Sequence, residues 1–91
     1  MLFRSTDGGK HILMTTAGTY TIPANGSVAF PIGTVLTFVN ATTSCTIPIT
    51  TDTMTLAGTT TTGTRTLAAN GIATALKIGT TSWLINGTGL T

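Results

Sequence analysis

The chain has 91 residues, of which 25 are threonine, only six carry a full charge, and none is glutamate or glutamine. A chain of this length forms one domain, and its charged fraction of 7% is far below the roughly 25% of an ordinary soluble domain. Because 41% of the residues are apolar, a free monomer would be poorly protected from association, and the composition favours a structural protein whose surface meets other subunits.

The same composition argues against several other classes of protein. The four cations are scattered along the chain, at Arg4, Lys10, Arg65 and Lys77, whereas nucleic-acid binding normally requires a clustered basic surface. No apolar run approaches the ~18 residues that a membrane-spanning helix needs. The single cysteine, Cys45, cannot form an intrachain disulfide, and the few histidine, cysteine and aspartate residues show no metal-site spacing. We therefore expect no nucleic acid, membrane, metal or cofactor, and we expect oligomerisation to stabilise this small domain.

Residues 1–10 differ from the rest and are predicted to form a flexible N-terminal arm. Half of the six charges lie here, on Arg4, Asp7 and Lys10. Gly8 and Gly9 give the backbone freedom to leave the domain. Leu2 and Phe3 are apolar without a periodic pattern around them, and the segment has no signal-peptide hydrophobic region, so we expect synthesis in a cytoplasm.

The following residues read as short strands separated by turn signals. The first candidates are residues 11–15, 19–22 and 27–30. Asn25 and Gly26 predict a turn between the second and the third. Residues 34–39 form the strongest candidate, and because their apolar side chains fall on both faces, this strand should be central or at a subunit interface. Further candidates are residues 44–49 and 53–56, and Pro48 limits the former to an edge or a bulge.

Beyond a low-complexity threonine and glycine loop at residues 58–63, the pattern continues to the end of the chain. Strands are predicted at residues 64–67, 72–78 and 81–85, with a turn at Asn70-Gly71. The alanines between 67 and 78 would permit a helical turn, although threonine and glycine argue against a full helix. About seven to nine short strands at this spacing indicate an all-β domain over residues 11–91, a compact sandwich, barrel or prism that forms a homotrimer.

No set of residues indicates an enzyme. The only histidine, His11, lies beside the arm, and no serine motif accompanies it as a nucleophile would require. A glycosidase needs two carboxylates across a cleft, and the only pair is Asp7 on the arm and Asp52 in a turn. Trp83 and Tyr20 could stack a sugar or a base, but a single tryptophan in a small β domain is more often a core or interface anchor.

A series of strand-and-turn motifs covers residues 19–89. Its parts are Pro31-Ile32-Gly33-Thr34, Phe38-Val39-Asn40, Cys45-Thr46-Ile47, Thr53-Met54-Thr55-Leu56-Ala57-Gly58, Thr64-Arg65-Thr66-Leu67, Ala75-Leu76-Lys77-Ile78-Gly79 and Ser82-Trp83-Leu84-Ile85-Asn86-Gly87. The series resembles small β modules of tailed-phage virion proteins, in which a Gly-Thr and an apolar strand lead to a Lys-x-Gly and Trp-x-x-x-Gly hairpin. The resemblance implies a structural role in the virion and a frequent trimeric state, and it brings no catalytic residues.

Two functions follow from this resemblance. The chain is short and starts with its own methionine, which favours a stand-alone capsid decoration (cement) protein on the virion surface, bound to the major capsid protein. The predicted capsid-binding residues are Leu2, Phe3 and Arg4, and the predicted trimer core or interface residues are Val35, Phe38, Ile47, Leu76 and Trp83. The alternative is a tail-fibre or spike module that binds a host receptor or glycan through loop 58–63, with Tyr20 or Trp83 as a stacking platform.

Overall fold

The computed structural model describes residues 11–91, and within this range the chain forms six strands and no helix. The strands are β1 (His11–Met14), β2 (Val35–Asn40), β3 (Cys45–Ile47), β4 (Thr53–Leu56), β5 (Arg65–Gly79) and β6 (Ser82–Leu90). Its radius of gyration is 11.7 Å, close to the ~12 Å of a folded domain of this length. The predicted compact all-β character is therefore confirmed.

All six strands belong to one mixed, open sheet with the order β1-β2-β5-β6-β4. The central pairs β2–β5 and β5–β6 are antiparallel, whereas the outer strands β1 and β4 run parallel to their neighbours. Strand β3 pairs with the first residues of β5, beyond the segment that β2 occupies. Because β2 lies between β1 and β5, the prediction that residues 34–39 form a central strand is confirmed.

The prediction of seven to nine strands is wrong, and β5 accounts for much of the difference. The segments 64–67 and 72–78 were predicted as separate strands joined by an Asn70-Gly71 turn. Asn70 does adopt a left-handed conformation with φ 60°, but the register shift between Leu67 and Ile72 makes this a bulge within one continuous strand. The expectation of a turn-like backbone at Asn70 was correct, but the prediction that the chain reverses direction there was wrong.

Two other predicted strands are absent because their backbone finds little pairing. Segment 19–22 makes only isolated bridges, Thr19 to Thr46 and Ile22 to Ile49. Segment 27–30 follows the predicted turn, which is present with Ser27 N–H donating to the Ala24 carbonyl at 2.9 Å, and then continues as coil. Strand β3 ends at Ile47 because the next residue is a proline, which has no amide N–H for the ladder.

One face of the sheet carries the hydrophobic core, and coil segments pack against it. The largest core side chains are Trp83, Phe38, Met14, Ile22, Leu36, Ile47, Met54, Leu67 and Ile85. Ile22 and Phe30 belong to this core although neither lies in a strand. The Asn40 amide, 1% exposed, donates to the carbonyls of Thr43 and Leu67 at 2.6 and 2.9 Å, which ties the β2–β3 connection to the β5 bulge.

Candidate functional site: an uncharged sheet face

The opposite face of the sheet is not covered by any described part of the chain. Along β2, and in β5 from Gly71 to Ile78, the side chains alternate between buried and more exposed positions, as the two-residue period of a strand requires. We call the solvent-facing set the outer face. Its members are His11, Leu13, Val35, Thr37, Val39, Ile72, Thr74, Leu76, Leu84 and Asn86.

Strand register arranges the outer face in rows that cross the sheet. The rows are Val35–Leu76–Leu84, Thr37–Thr74–Asn86 and Leu13–Val39–Ile72. The first and third rows are wholly apolar, and the middle row is wholly polar and uncharged. Residues paired across neighbouring strands lie in side-chain contact distance, so each apolar row is a continuous ridge and not a set of scattered side chains.

The apolar rows are substantially open to solvent. Leu13 is 51% exposed, Ile72 is 48% exposed and Leu76 is 38% exposed. Single exposed apolar residues are common on monomers, but a contiguous apolar patch marks an interaction surface. The rows are contiguous by register, so the outer face is the strongest candidate for a functional surface among residues 11–91.

Among residues 11–91, no side chain with a full charge lies on the outer face. Three of the charged residues lie in the described range, and Lys77 is directed into the core while Asp52 is buried in a loop. Arg65 pairs with Ile47 at the first position of β5, away from all three rows. His11, at the end of β1, is the only ionisable side chain on the outer face as far as the structure describes it. Such a surface suits a partner that is equally free of charge.

A shallow hollow opens on the outer face between β2, β5 and β6. It has a volume of about 280 Å³, slightly below the ~300–1,000 Å³ of small-molecule sites. Its lining comprises Val35, Ala57, Thr74, Leu76, Leu84, Ile85 and Asn86. No charged group converges on it, so its chemistry fits an apolar side chain from a partner better than a polar metabolite.

The predicted interface residues fall on two sides of the sheet. Val35 and Leu76 are neighbours in the first row of the outer face. Phe38, Ile47 and Trp83 lie in the core of the chain itself, each 1% exposed or less. The structure therefore places only the first two where another subunit could reach them, and their interface role stays a prediction. Leu2, Phe3 and Arg4 lie outside the described residues.

Trp83 is not available as a stacking platform, because it is 1% exposed. Its ring packs edge-on against Phe30, with the centroids 5.8 Å apart. Its indole Nε1 has no hydrogen-bond partner among the described residues. Tyr20 is half-buried and its hydroxyl donates to the Thr16 carbonyl at 2.9 Å, beside a second hollow of about 240 Å³ formed by residues 16–20.

Sequence reasoning missed a buried polar cluster behind the sheet. Lys77 is 2% exposed, and its Nζ donates to Asn25 Oδ1 at 2.8 Å and to the Phe30 carbonyl at 2.7 Å. Asp52, 8% exposed, accepts a hydrogen bond from the Asn25 backbone N–H at 2.9 Å. The sequence contains one signal of this cluster. Lys77 lies two residues after Ala75 and four after Ala73, so in a strand its side chain points to the same face as theirs, which is the core.

Comparison with family models, curated proteins and solved structures gives no match for this chain. Among residues 11–91, no helix has the length and hydropathy needed to cross a membrane. The same residues contain no group of three or more histidine, cysteine or acidic side chains that could hold a metal ion. The outer face and the strand-and-turn resemblance are therefore the features of this chain that bear on its function.

Proposed function

We propose that this protein is a bacteriophage virion structural protein, most specifically a capsid decoration (cement) protein that assembles as a homotrimer. The observation that carries the proposal is the outer face, with two apolar rows, a threonine-rich row between them and no charge. The similarity of the strand-and-turn motifs to small phage β modules supplies the virion context. No catalytic constellation is required for this role, which is mechanical.

The dimensions of the outer face fit a contact in which all three copies take part. Its rows cross four neighbouring strands at ~4.8 Å and extend over about five residues at ~3.3 Å, which gives a surface of roughly 19 by 17 Å, or ~320 Å² for each copy. Three such surfaces together bury about 950 Å², close to the ~1,000 Å² expected of a specific interface. Three outer faces around a three-fold axis would form the walls of a prism and remove all the apolar rows from water.

A trimer on a shell would act by linkage. A protein that binds only the assembled lattice stabilises that lattice by mass action. Three equivalent attachment points on one trimer add avidity, so each contact can be weak. The proposed attachment points are the N-terminal arms. Leu2 and Phe3 would each contribute ~1.5–3 kcal/mol to binding if fully buried in the major capsid protein. Arg4 can form a bidentate hydrogen bond with a carboxylate.

Deletion of residues 2–9 tests the attachment directly. The truncated protein should keep its fold and its oligomeric state, because the described core begins at Ile12. It should lose attachment to empty shells, measured by co-sedimentation and by electron microscopy at several salt concentrations. Replacing the exposed loop residue Thr60 by alanine in the full chain serves as a control that should decorate normally. Equal occupancy and salt resistance of the truncated and full chains would contradict the proposed clamp.

The alternative function is a tail-fibre or spike module that binds a host receptor or glycan. One observation favours it: the hollow of residues 16–20 beside Tyr20 is lined by polar residues such as Thr16 and Thr19. Micrographs of virions labelled for this protein separate the two functions, since a cement protein covers the shell in many copies whereas a fibre module marks only the tail. Binding on a glycan array that Tyr20→Ala abolishes would favour the alternative.

A further inference from the structure

The buried polar cluster behind the sheet brings a primary amine against a primary amide. The Nζ of Lys77 lies 2.8 Å from Oδ1 of Asn25, across 52 positions of sequence. Because a carbonyl bond is about 1.23 Å long, the same nitrogen lies within about 4 Å of the Asn25 Cγ. Reacting atoms in near-attack geometry are ~3–3.5 Å apart, so a small side-chain rotation would bring the amine to the carbonyl carbon.

Both partners are held in place by further bonds. The Lys77 backbone N–H donates to Thr34 O at 2.9 Å, and the Gly33 N–H donates to Lys77 O at 2.7 Å. The Phe30 carbonyl accepts a second Nζ proton at 2.7 Å. On the other side, the Asp52 carboxylate accepts the Asn25 backbone N–H at 2.9 Å. Fixing two reactants in one orientation removes the entropic part of the barrier to amide exchange.

The lysine side of the cluster is shielded from water, and the asparagine side is half-buried. The Lys77 side chain is 2% exposed and its Nζ lies 5.9 Å from the centre of the Trp83 ring. Phe30 packs edge-on against the same ring. An apolar wall on one side of the reacting pair limits the approach of water and strengthens the polar interactions beside it.

We propose that Lys77 and Asn25 form an intramolecular isopeptide bond. The Lys77 ammonium passes one proton to the Asn25 Oδ1 that it already contacts, and the resulting neutral amine attacks Cγ. The Nζ–Cγ bond forms, a second Nζ proton passes to the side-chain amide nitrogen, and the bond from Cγ to that nitrogen breaks as Oδ1 gives its proton to the departing ammonia. Overall, a lysine ammonium and an asparagine amide become a secondary amide and an ammonium ion, so that two of the three lysine protons leave with the nitrogen. The step consumes no oxidant, reductant or cofactor.

Asp52 is a positioning residue in this reaction. It is the only acidic side chain in the described range, and it holds the Asn25 backbone and not the reacting amide. The cross-link would join the loop around Asn25 to the end of β5, and thereby fix the coil that covers the core against the sheet.

Intact mass and a tryptic map of the purified full chain test the proposal. A cross-linked chain should weigh about 17 Da less than its sequence, the mass of ammonia lost in the exchange. Trypsin cleaves after lysine and arginine, so an unlinked chain yields residues 11–65, 66–77 and 78–91. The cross-linked chain should instead yield residues 11–65 joined to 66–91, because a modified Lys77 resists cleavage.

The control variants distinguish the isopeptide bond from a competing reaction between Asn25 and its neighbour Gly26. Asn25 precedes Gly26, and attack by the Gly26 amide nitrogen on the same Cγ also releases ammonia. Lys77→Arg retains the cation and its hydrogen-bond donors but cannot form the isopeptide bond, so this variant should have the full sequence mass. Asn25→Ala should likewise have the full mass. A wild-type chain of full mass, or a lighter 11–65 peptide that is not joined to 66–91, would overturn the proposal.

Two variants of Asp52 test its role. Asp52→Asn keeps an oxygen that can accept the Asn25 N–H, and should retain most of the cross-linked fraction. Asp52→Ala removes that acceptor and should lower the fraction several-fold in protein that circular dichroism shows to be folded. Equal cross-linked fractions in both variants and the wild type would contradict the positioning role.

Discussion

Trp83 illustrates how much one side chain contributes in so small a core. It is the largest fully buried residue and packs edge-on against Phe30. Replacement by alanine should lower the free energy of unfolding by ~3–5 kcal/mol, as large aromatic truncations do. Urea unfolding followed by circular dichroism measures the loss.

Two control variants refine this test. Trp83→Phe should cost less than the alanine variant, because the indole nitrogen makes no hydrogen bond within the described residues. Leu84→Ala removes a half-buried neighbour on the outer face and should change the unfolding of the isolated fold less. Unchanged stability of Trp83→Ala together with lost sugar binding would favour the tail-fibre function.

Gly87 is required by the closeness of the backbones of β5 and β6. A Cβ at this position would overlap the Ile72 carbonyl oxygen and lie 2.6 Å from the Ala73 Cα. Gly87→Ala should therefore destabilise the fold by at least the ~1–3 kcal/mol typical of overpacking. Gly26→Ala is the matched control, since its Cβ would meet nothing within 4 Å. Equal melting temperatures for the two variants would contradict this description of the β5–β6 contact.

Sequence reasoning at the residue scale succeeded where the pattern is local. Trp83 was expected in the core or at an interface, and it lies in the core, whereas Phe38 was predicted at the trimer interface and lies in the core of the chain itself. Asn40 could not be expected to be buried, because its partner Leu67 lies 27 positions away. The same holds for Lys77 and Asn25, whose contact joins segments that only the folded sheet brings together.

At the scale of elements, the predicted Asn-Gly turns had different outcomes. Asn25-Gly26 forms the predicted turn, whereas Asn70-Gly71 forms a bulge inside β5. The difference lies in the partner strand: β6 continues alongside β5 past the bulge, from Ile85 to Leu90, so no reversal of the chain is needed. The left-handed preference of Asn70 produces the local bend, but the chain does not reverse there because β6 remains paired with β5 on both sides of the bulge.

Leu76, on β5, lies in the middle of the first apolar row. Leu76→Lys should prevent association through the outer face, because burying an unpaired charge at an interface is strongly unfavourable. The variant should fold, because Leu76 is already 38% exposed, and should dissociate into monomers. Thr60→Lys, in the exposed loop 58–63, is the control with the same added charge. Gel filtration with light scattering and circular dichroism measure association and fold separately.

The molecule as a whole combines a small core with an unprotected surface. A domain of about 90 residues buries little more than 60% of its unfolded surface and is only marginally stable alone. If oligomerisation supplies the remainder, then the melting temperature should rise with protein concentration, because association stabilises the folded state by mass action. Calorimetry over a hundredfold range of concentration measures this dependence, and a constant melting temperature would indicate a self-sufficient monomer.

Native mass spectrometry shows whether three outer faces come together. At micromolar concentration the full chain should give a species three times the 9.2 kDa mass of the chain, and Leu76→Lys should give the monomer under identical conditions. Thr60→Lys should remain trimeric. A wild-type chain that stays monomeric at that concentration, or a Leu76→Lys variant that still forms trimers, would contradict the account.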